Sequence, residues 1–294
     1  MGREDARQLW RYRPEDFGEP PVRVLHMDLE FSMYDDHTCV SSVLHAISGE
    51  APLRVLDLNA KDLDVLEVSS PERGIDFHYD QDRSILTIRF SQPIPPETRF
   101  TVATRTVCRP TFHLLEGLYY DETPPGAPPT QITQCQQWGF QRLVPCIDEM
   151  TAKCTYRTTI TADVRYTHLI SNGDVSVPRH PAGKGRDSIT YENMVTPMAP
   201  YLFFLGAGTY AGYRRLLEYP GRQSFDIELL VPPGSSRAHA EEALSILADA
   251  ILWVHLFTGK GRYRDQKIRG RLYALGRRLY RCINGEGRSA ACTP

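Results

Sequence analysis

Apolar and polar residues alternate along much of the chain before residue 232. From Leu25 the odd positions Leu25, Met27, Leu29, Phe31 and Met33 are apolar, and His26, Asp28, Glu30 and Ser32 lie between them. A period of two turns one set toward a core and the other toward water, which predicts a strand. Leu86, Ile88 and Phe90 alternate with Thr87 and Arg89 in the same way. So do Tyr156, Thr158, Ile160, Ala162 and Val164, set against Thr155, Arg157, Thr159, Thr161 and Asp163. Shorter candidate strands cover residues 38–44, 53–58, 63–68, 100–107, 188–191 and 201–207. Turn clusters stand at Asp35-Asp36, Ser91-Gln92-Pro93, Pro124-Pro125-Gly126 and Ser171-Asn172-Gly173-Asp174. Phe225, Ile227, Leu229 and Val231 form one more strand, stopped by Pro232-Pro233-Gly234.

The long helical pattern comes next. Ala240, Ala243, Leu244, Leu247, Ala250, Ile251, Val254 and Phe257 recur at three- and four-residue spacing, with Gly259 as the stop. Ser235 or Ser236 can cap this helix, and Glu241 and Glu242 lie near the positive end of its dipole. The expected fold is mainly β: a large antiparallel β-sandwich, then a strand and one long helix.

Composition narrows the function classes. With 294 residues, 41% hydrophobic and 24% charged, the chain has an ordinary globular mix. Mean hydropathy is −0.38, and no apolar run reaches the roughly 18 residues of a membrane-spanning helix. The start, Met-Gly-Arg-Glu-Asp, has no apolar stretch of the kind a secretory signal needs. A net charge of −2 argues against a nucleic-acid partner. That average hides a split: residues 262–294 carry eight Arg and one Lys against Asp265 and Glu286, a net of +7, which leaves −9 on residues 1–261. Seven cysteines at irregular spacing, with no CxxC pair, argue against a zinc ribbon or a thioredoxin-type motif. Reduced and partly buried thiols in a cytoplasmic protein are expected.

Motifs for catalysis are sparse. None of the nine histidines is followed by Glu, and no two lie four apart, so HExxH is missing from this sequence. GxSxG and the Walker loop are missing too. His239 and His255, four turns apart on the helix, read as surface or packing residues. Gly206-Ala207-Gly208 reads as tight packing or a turn. Asp148-Glu149 is a carboxylate pair, but neighbours on extended chain point apart, which fits a solvated or capping pair.

Residues 131–156, QITQCQQWGFQRLVPCIDEMTAKCTY, lack the periodicity of their surroundings and hold three of the seven cysteines. Thr133-Gln134-Cys135-Gln136, Arg142, Pro145-Cys146, Asp148-Glu149 and Lys153 together resemble the signature stretch in the amino-terminal domain of the zinc aminopeptidases of peptidase family M1. That family includes the membrane alanyl aminopeptidases and the leukotriene hydrolase/aminopeptidase. Three further segments match in order: Leu58-Asn59-Ala60-Lys61-Asp62-Leu63, Leu169-Ile170-Ser171-Asn172-Gly173 and Thr196-Pro197-Met198-Ala199-Pro200-Tyr201-Leu202.

The resemblance implies a leader over residues 1–20 and a saddle-like β-domain over 21–212. It further implies the start of a thermolysin-like catalytic domain over 213–261; the Arg-rich residues 262–294, where the family would continue otherwise, read from their composition as a basic, poorly ordered tail. In the family, glutamines of this motif contact the first residue of a peptide substrate; carried over, these are Gln134 and Gln136. An amide can donate and accept at a peptide group without charge, so such contacts orient the substrate.

Departures accompany the likeness. Gln141 stands where an Arg is common and Met150 where Pro is common. The Gly-x-Met-Glu-Asn loop and the HExxH helix do not occur in this sequence, so it offers no catalytic residue and no metal ligand. The zinc of the intact family would need residues not found here. The expectation is therefore the substrate-orienting portion of a metallo-aminopeptidase-like protein, inactive alone. The alternative is a non-catalytic β-scaffold binding protein partners through the helix at 236–257 or the basic tail. For the tail itself, a truncated or frame-altered gene product is the favoured expectation, ahead of a partner-docking extension or a catalytic half supplied by another polypeptide.

Overall fold

The computed structural model describes residues 20–218 and 224–258. Its strands in chain order are β1 (Val22–Met33), β2 (Thr38–Ser48), β3 (Leu53–Asn59), β4 (Asp64–Ser69), β5 (Ile75–Asp80), β6 (Ile85–Ile94), β7 (Arg99–Cys108) and β8 (Gly117–Tyr120). Then come β9 (Gln131–Gln134), β10 (Cys154–Asp163), β11 (His168–Ser171), β12 (Asp174–Gly183), β13 (Arg186–Met198), β14 (Leu205–Gly208), β15 (Ala211–Leu217) and β16 (Phe225–Val231). One long helix, α1 (Arg237–Thr258), follows.

Seven strands build the main sheet in the order β12-β13-β10-β1-β2-β7-β4. A four-stranded sheet, β11-β14-β9-β8, and a three-stranded one, β3-β6-β5, complete the β-domain, and β15 pairs with β16. The fold is mainly β, as the alternation predicts. Among the described strands it departs from an all-antiparallel sandwich at one pair: β1 and β10 run parallel, with Leu29 opposite Thr158. A parallel pair needs a long connection, and β2 to β9 supply it.

Phase differs from the simple alternation near the start of β1. Val24 is buried and Leu25 only half-buried, because the register with β2 shifts between Val24 and His26. The extra residue lets Val22 and Val24 share a face with Met27, Leu29, Phe31 and Met33. Ser91-Gln92-Pro93 is not a turn; β6 runs on to the fully buried Ile94, and the chain bends after it through Glu97 at φ 51°. The strand expected over 201–207 is shorter, since Pro200–Leu202 forms a 3-10 turn before β14. Pattern alone missed β5, β8, β9, β11, β12 and β15. β8 and β9 have four residues each, too short to show a period. β12 is an edge strand interrupted by Pro178 and Pro181, and prolines are tolerated there.

An aromatic cluster closes the core beneath the main sheet. Phe203 lies 5.9 Å from Phe31 on β1, 4.9 Å from Phe140 and 5.7 Å from Tyr156 on β10, measured between ring centroids. Phe140 meets Tyr156 edge to face at 6.0 Å. A second, smaller core joins Leu217, Ile227, Leu229 and Val231 to Ala240, Leu244 and Ala248 of α1. Ser236 is the cap: its Oγ accepts the His239 N–H at 3.4 Å, whereas the Ser235 hydroxyl donates to Pro232 O. Ile246 and Trp253 leave apolar surface of α1 exposed. Gly259 and the basic tail lie outside the described residues. No described helix is long and apolar enough to cross a membrane.

Phe203→Ala removes the ring that three others share. It is expected to cost about 3–5 kcal/mol in urea denaturation. A loss below about 1 kcal/mol would mean the cluster is loosely packed.

Candidate functional site

The four segments singled out in the sequence meet in two pairs. Residues 58–63 run along the buried loop between β9 and β10. Asn59 and Cys146 exchange backbone bonds, N–H to O, at 2.7 and 3.0 Å, and Lys61 N–H donates to Gln141 O at 2.9 Å. The Asn59 side chain adds a bond of its own, its Oδ1 accepting the Asp148 N–H at 3.0 Å. The other pair joins 169–173 to the stretch after Pro200. Asn172 Oδ1 accepts Phe204 N–H at 2.6 Å, and the Ser171 hydroxyl donates to Phe204 O at 2.8 Å. Gly173, at φ +91°, lets this turn lie against β13, because a Cβ there would stand 2.3 Å from Glu192 O.

Between these clamps, β9 carries Gln134 to the edge of a short turn. Gln134 pairs with Gly117 on β8 and is half-buried; Cys135 is buried and Gln136 is exposed. Thr133 fixes the strand to β14, its Oγ1 accepting Leu205 N–H at 2.8 Å. Gly139 N–H returns to Cys135 O at 3.2 Å, closing a five-residue turn whose tip is Gln136, Gln137 and Trp138. Gln137 takes the left-handed conformation, φ 69°, and Trp138 is 58% exposed. The Gln141 side chain donates to Trp138 O at 3.0 Å. Position 139 admits only glycine, since a Cβ would lie 2.2 Å from Gln134 O and 2.8 Å from Gly117 N. Gln134 and Gln136 are thus held on one rigid turn. Trp138 shares that turn and Asn59 braces the loop behind it at Cys146 and Asp148, two residues to which pattern alone gave no role.

The Peptidase M1 N-terminal domain family model matches residues 22–202, more than half of the sequence. The chain belongs to the peptidase M1 family. Aminopeptidase N of Escherichia coli (strain K12) is 26% identical over 248 residues, which is 83% of this chain and 26% of that protein. Aminopeptidase N of Haemophilus influenzae is 27% identical over 247 residues, 83% of this chain and 27% of that protein. The chain therefore spans about a quarter of the length of the curated relatives it matches. The crystal structure of Legionella pneumophila aminopeptidase A in complex with aspartic acid shares the fold at a TM-score of 0.71 and 21% identity, over 83% of this chain and 28% of that one. An M1 zinc metallopeptidase from Deinococcus radiodurans superposes at 0.61 with 13% identity, over 75% of this chain and 50% of that one.

Electrostatics of the M1 domain concentrate behind the turn. Asp148 is buried, not solvated, and caps the 3-10 turn Phe140–Arg142 by accepting Gln141 N–H at 3.1 Å. Burial pushes its carboxyl up to about 7, against the pull of that N–H, with Glu149 and Glu116 adding repulsion. Glu149 itself is exposed. Arg142 pairs with Asp62 and, at 3.2 Å, with Glu116, which Lys61 also meets at 3.3 Å. Five described cysteines are free thiols; burial raises Cys135, Cys146 and Cys154, which disfavours thiolate chemistry there. Among the described residues no three His, Cys, Asp or Glu side chains are placed to hold a metal ion. With HExxH also missing from the sequence, the residues present do not fit the zinc of the whole family.

Gly139→Ala is expected to destabilise the domain by about 2 kcal/mol or more, because backbone rather than a flexible side chain must yield. Asn59→Ala leaves the Asp148 N–H without its partner and should cost about 1–3 kcal/mol. Gln136→Ala, at the exposed tip, should change stability by less than about 0.5 kcal/mol. Chemical denaturation of the three variants orders them directly; a large loss for Gln136→Ala would mark its amide as structural.

Proposed function

We propose that this chain is the amino-terminal, substrate-orienting portion of an M1 aminopeptidase, in which Gln134 and Gln136 contact the first residue of a peptide. The observation that supports this most is the turn itself. Two amides of the family motif are carried on a segment fixed by a forced glycine and backbone bonds, so the backbone beneath them is set before any ligand arrives. An amide beside a peptide terminus supplies orientation, and neither glutamine can act as an acid or base at neutral pH. Nucleophilic water and its general base belong to the zinc centre of the whole family, so this stretch of chain does not hydrolyse peptides by itself. The competing scaffold reading draws on Ile246 and Trp253, exposed on α1; stoichiometric co-purification of a protein with the parent, lost in Trp253→Glu, would favour it.

Purified chain with added zinc should show no turnover of aminoacyl chromogenic substrates above background and hold less than about 0.2 zinc per chain. Residues 22–202 placed in the matching position of Escherichia coli aminopeptidase N should restore turnover. In that chimera Gln136→Ala should raise KM about tenfold, the worth of one hydrogen bond. A folded chimera whose KM ignores both glutamines overturns the assignment.

A further inference from the structure

Asp148 is a buried carboxyl with no cationic partner among the described residues: Arg142 turns to Asp62 and Glu116, and Lys61 to Glu116. An unpaired buried carboxylate is costly, and only hydrogen bonds hold it. Its Oδ2 accepts Gln141 N–H at 3.1 Å, and its own N–H is tied to Asn59 Oδ1 at 3.0 Å. Gln141 in turn reaches both ways, its side chain to Trp138 O at 3.0 Å and its carbonyl to Lys61 N–H at 2.9 Å. A chain of bonds therefore runs from the β3 end, through Asp148 and Gln141, to the tip that carries Gln136. We propose that Asp148 is the positioning residue of this turn and that its ionisation state sets how firmly the Gln136–Trp138 tip is held.

Ionised, the carboxylate is a strong acceptor for the Gln141 N–H; protonated, it accepts more weakly and must place a proton of its own. The groups that face it work toward protonation. Glu149 and Glu116 repel its charge, and the buried thiols of Cys135 and Cys146 offer it no cation. Folding thus holds the proton to a higher pH than the ordinary 3.8, up to about 7. The sign follows. The carboxyl's contribution to stability is greatest below the unfolded value, falls as pH rises from about 4 to about 7, and is level above that. Near neutrality the turn is held tightly at a cost in overall stability, and in mild acid the balance reverses. The functional weight of such a latch rests on the substrate-orienting reading, but the latch itself does not.

The test is a pH titration of the full chain, labelled with nitrogen-15, from pH 5 to 9. The Gln141 backbone amide proton should shift through one transition, and exchange of the Gly139 amide that closes the tip on Cys135 O should slow severalfold across the same transition as pH rises, after correction for intrinsic exchange. Asp148→Asn should abolish both, and the melting temperature of the parent relative to this variant should fall between pH 4 and 7. Histidine titrations would survive the substitution, which separates them. A flat Gln141 amide, a transition that persists in Asp148→Asn, or a tip whose exchange ignores the transition overturns the proposal. Should the variant not fold, the carboxyl carbon resonance of Asp148 in the parent decides: a midpoint near that of ordinary aspartate refutes the latch. Chimera kinetics can fail while Gln141 titrates, and the reverse, so the two ideas fall separately.

Discussion

A buried backbone that is neither helix nor strand must find a partner for nearly every N–H and C=O, or the domain loses the cost of each orphan. Residues 135–148 face that constraint: Cys135, Phe140, Leu143, Val144, Cys146 and Ile147 are all buried, and no regular ladder serves them. The solution is the end of β3. Asn59 at the end of β3 and Lys61 just past it offer a second line of donors and acceptors, to Cys146 and Gln141. Without this arrangement Phe140 could not enter the aromatic cluster, and Phe203, Phe31 and Tyr156 would close around a void.

The same constraint makes the site rigid. Loops that carry function are usually exposed and mobile, which costs ordering entropy on binding. Here only the tip, Gln136 to Trp138, is exposed, and the residues on either side are core. Asp148 marks the tension in this design. Its carboxyl is the natural acceptor for the N–H groups of a 3-10 turn, yet no cation among the described residues pairs with it, so the group that fixes the turn is also one that resists ionisation.

The second core is of another character. α1 rests on two strands through Ala240, Leu244 and Ala248, small and medium side chains on a two-stranded support. Two strands and a helix bury little apolar area compared with the main sheets, and Ile246 and Trp253 remain at the surface.

Much of this was legible in the residues. Strict alternation located β1, β6 and β10, because a face buried in a sheet forces period two, and the three- and four-residue spacing after Ser236 located α1. Ordered motifs pointed to the family. Other features had no local signature. The parallel pairing of β1 with β10 depends on which of many strands meet, and the four-residue β8 and β9 are strands only because neighbours complete them. Asp148 shows the difference most plainly. As a letter beside Glu149 it reads as one more polar pair, since sequence carries no record of distance from water. Tertiary packing alone put it in the interior and Glu149 outside it, with Asn59 from 89 positions away at its backbone, because the burial that raises a carboxyl's proton affinity is a property of the surrounding chain and not of the residue.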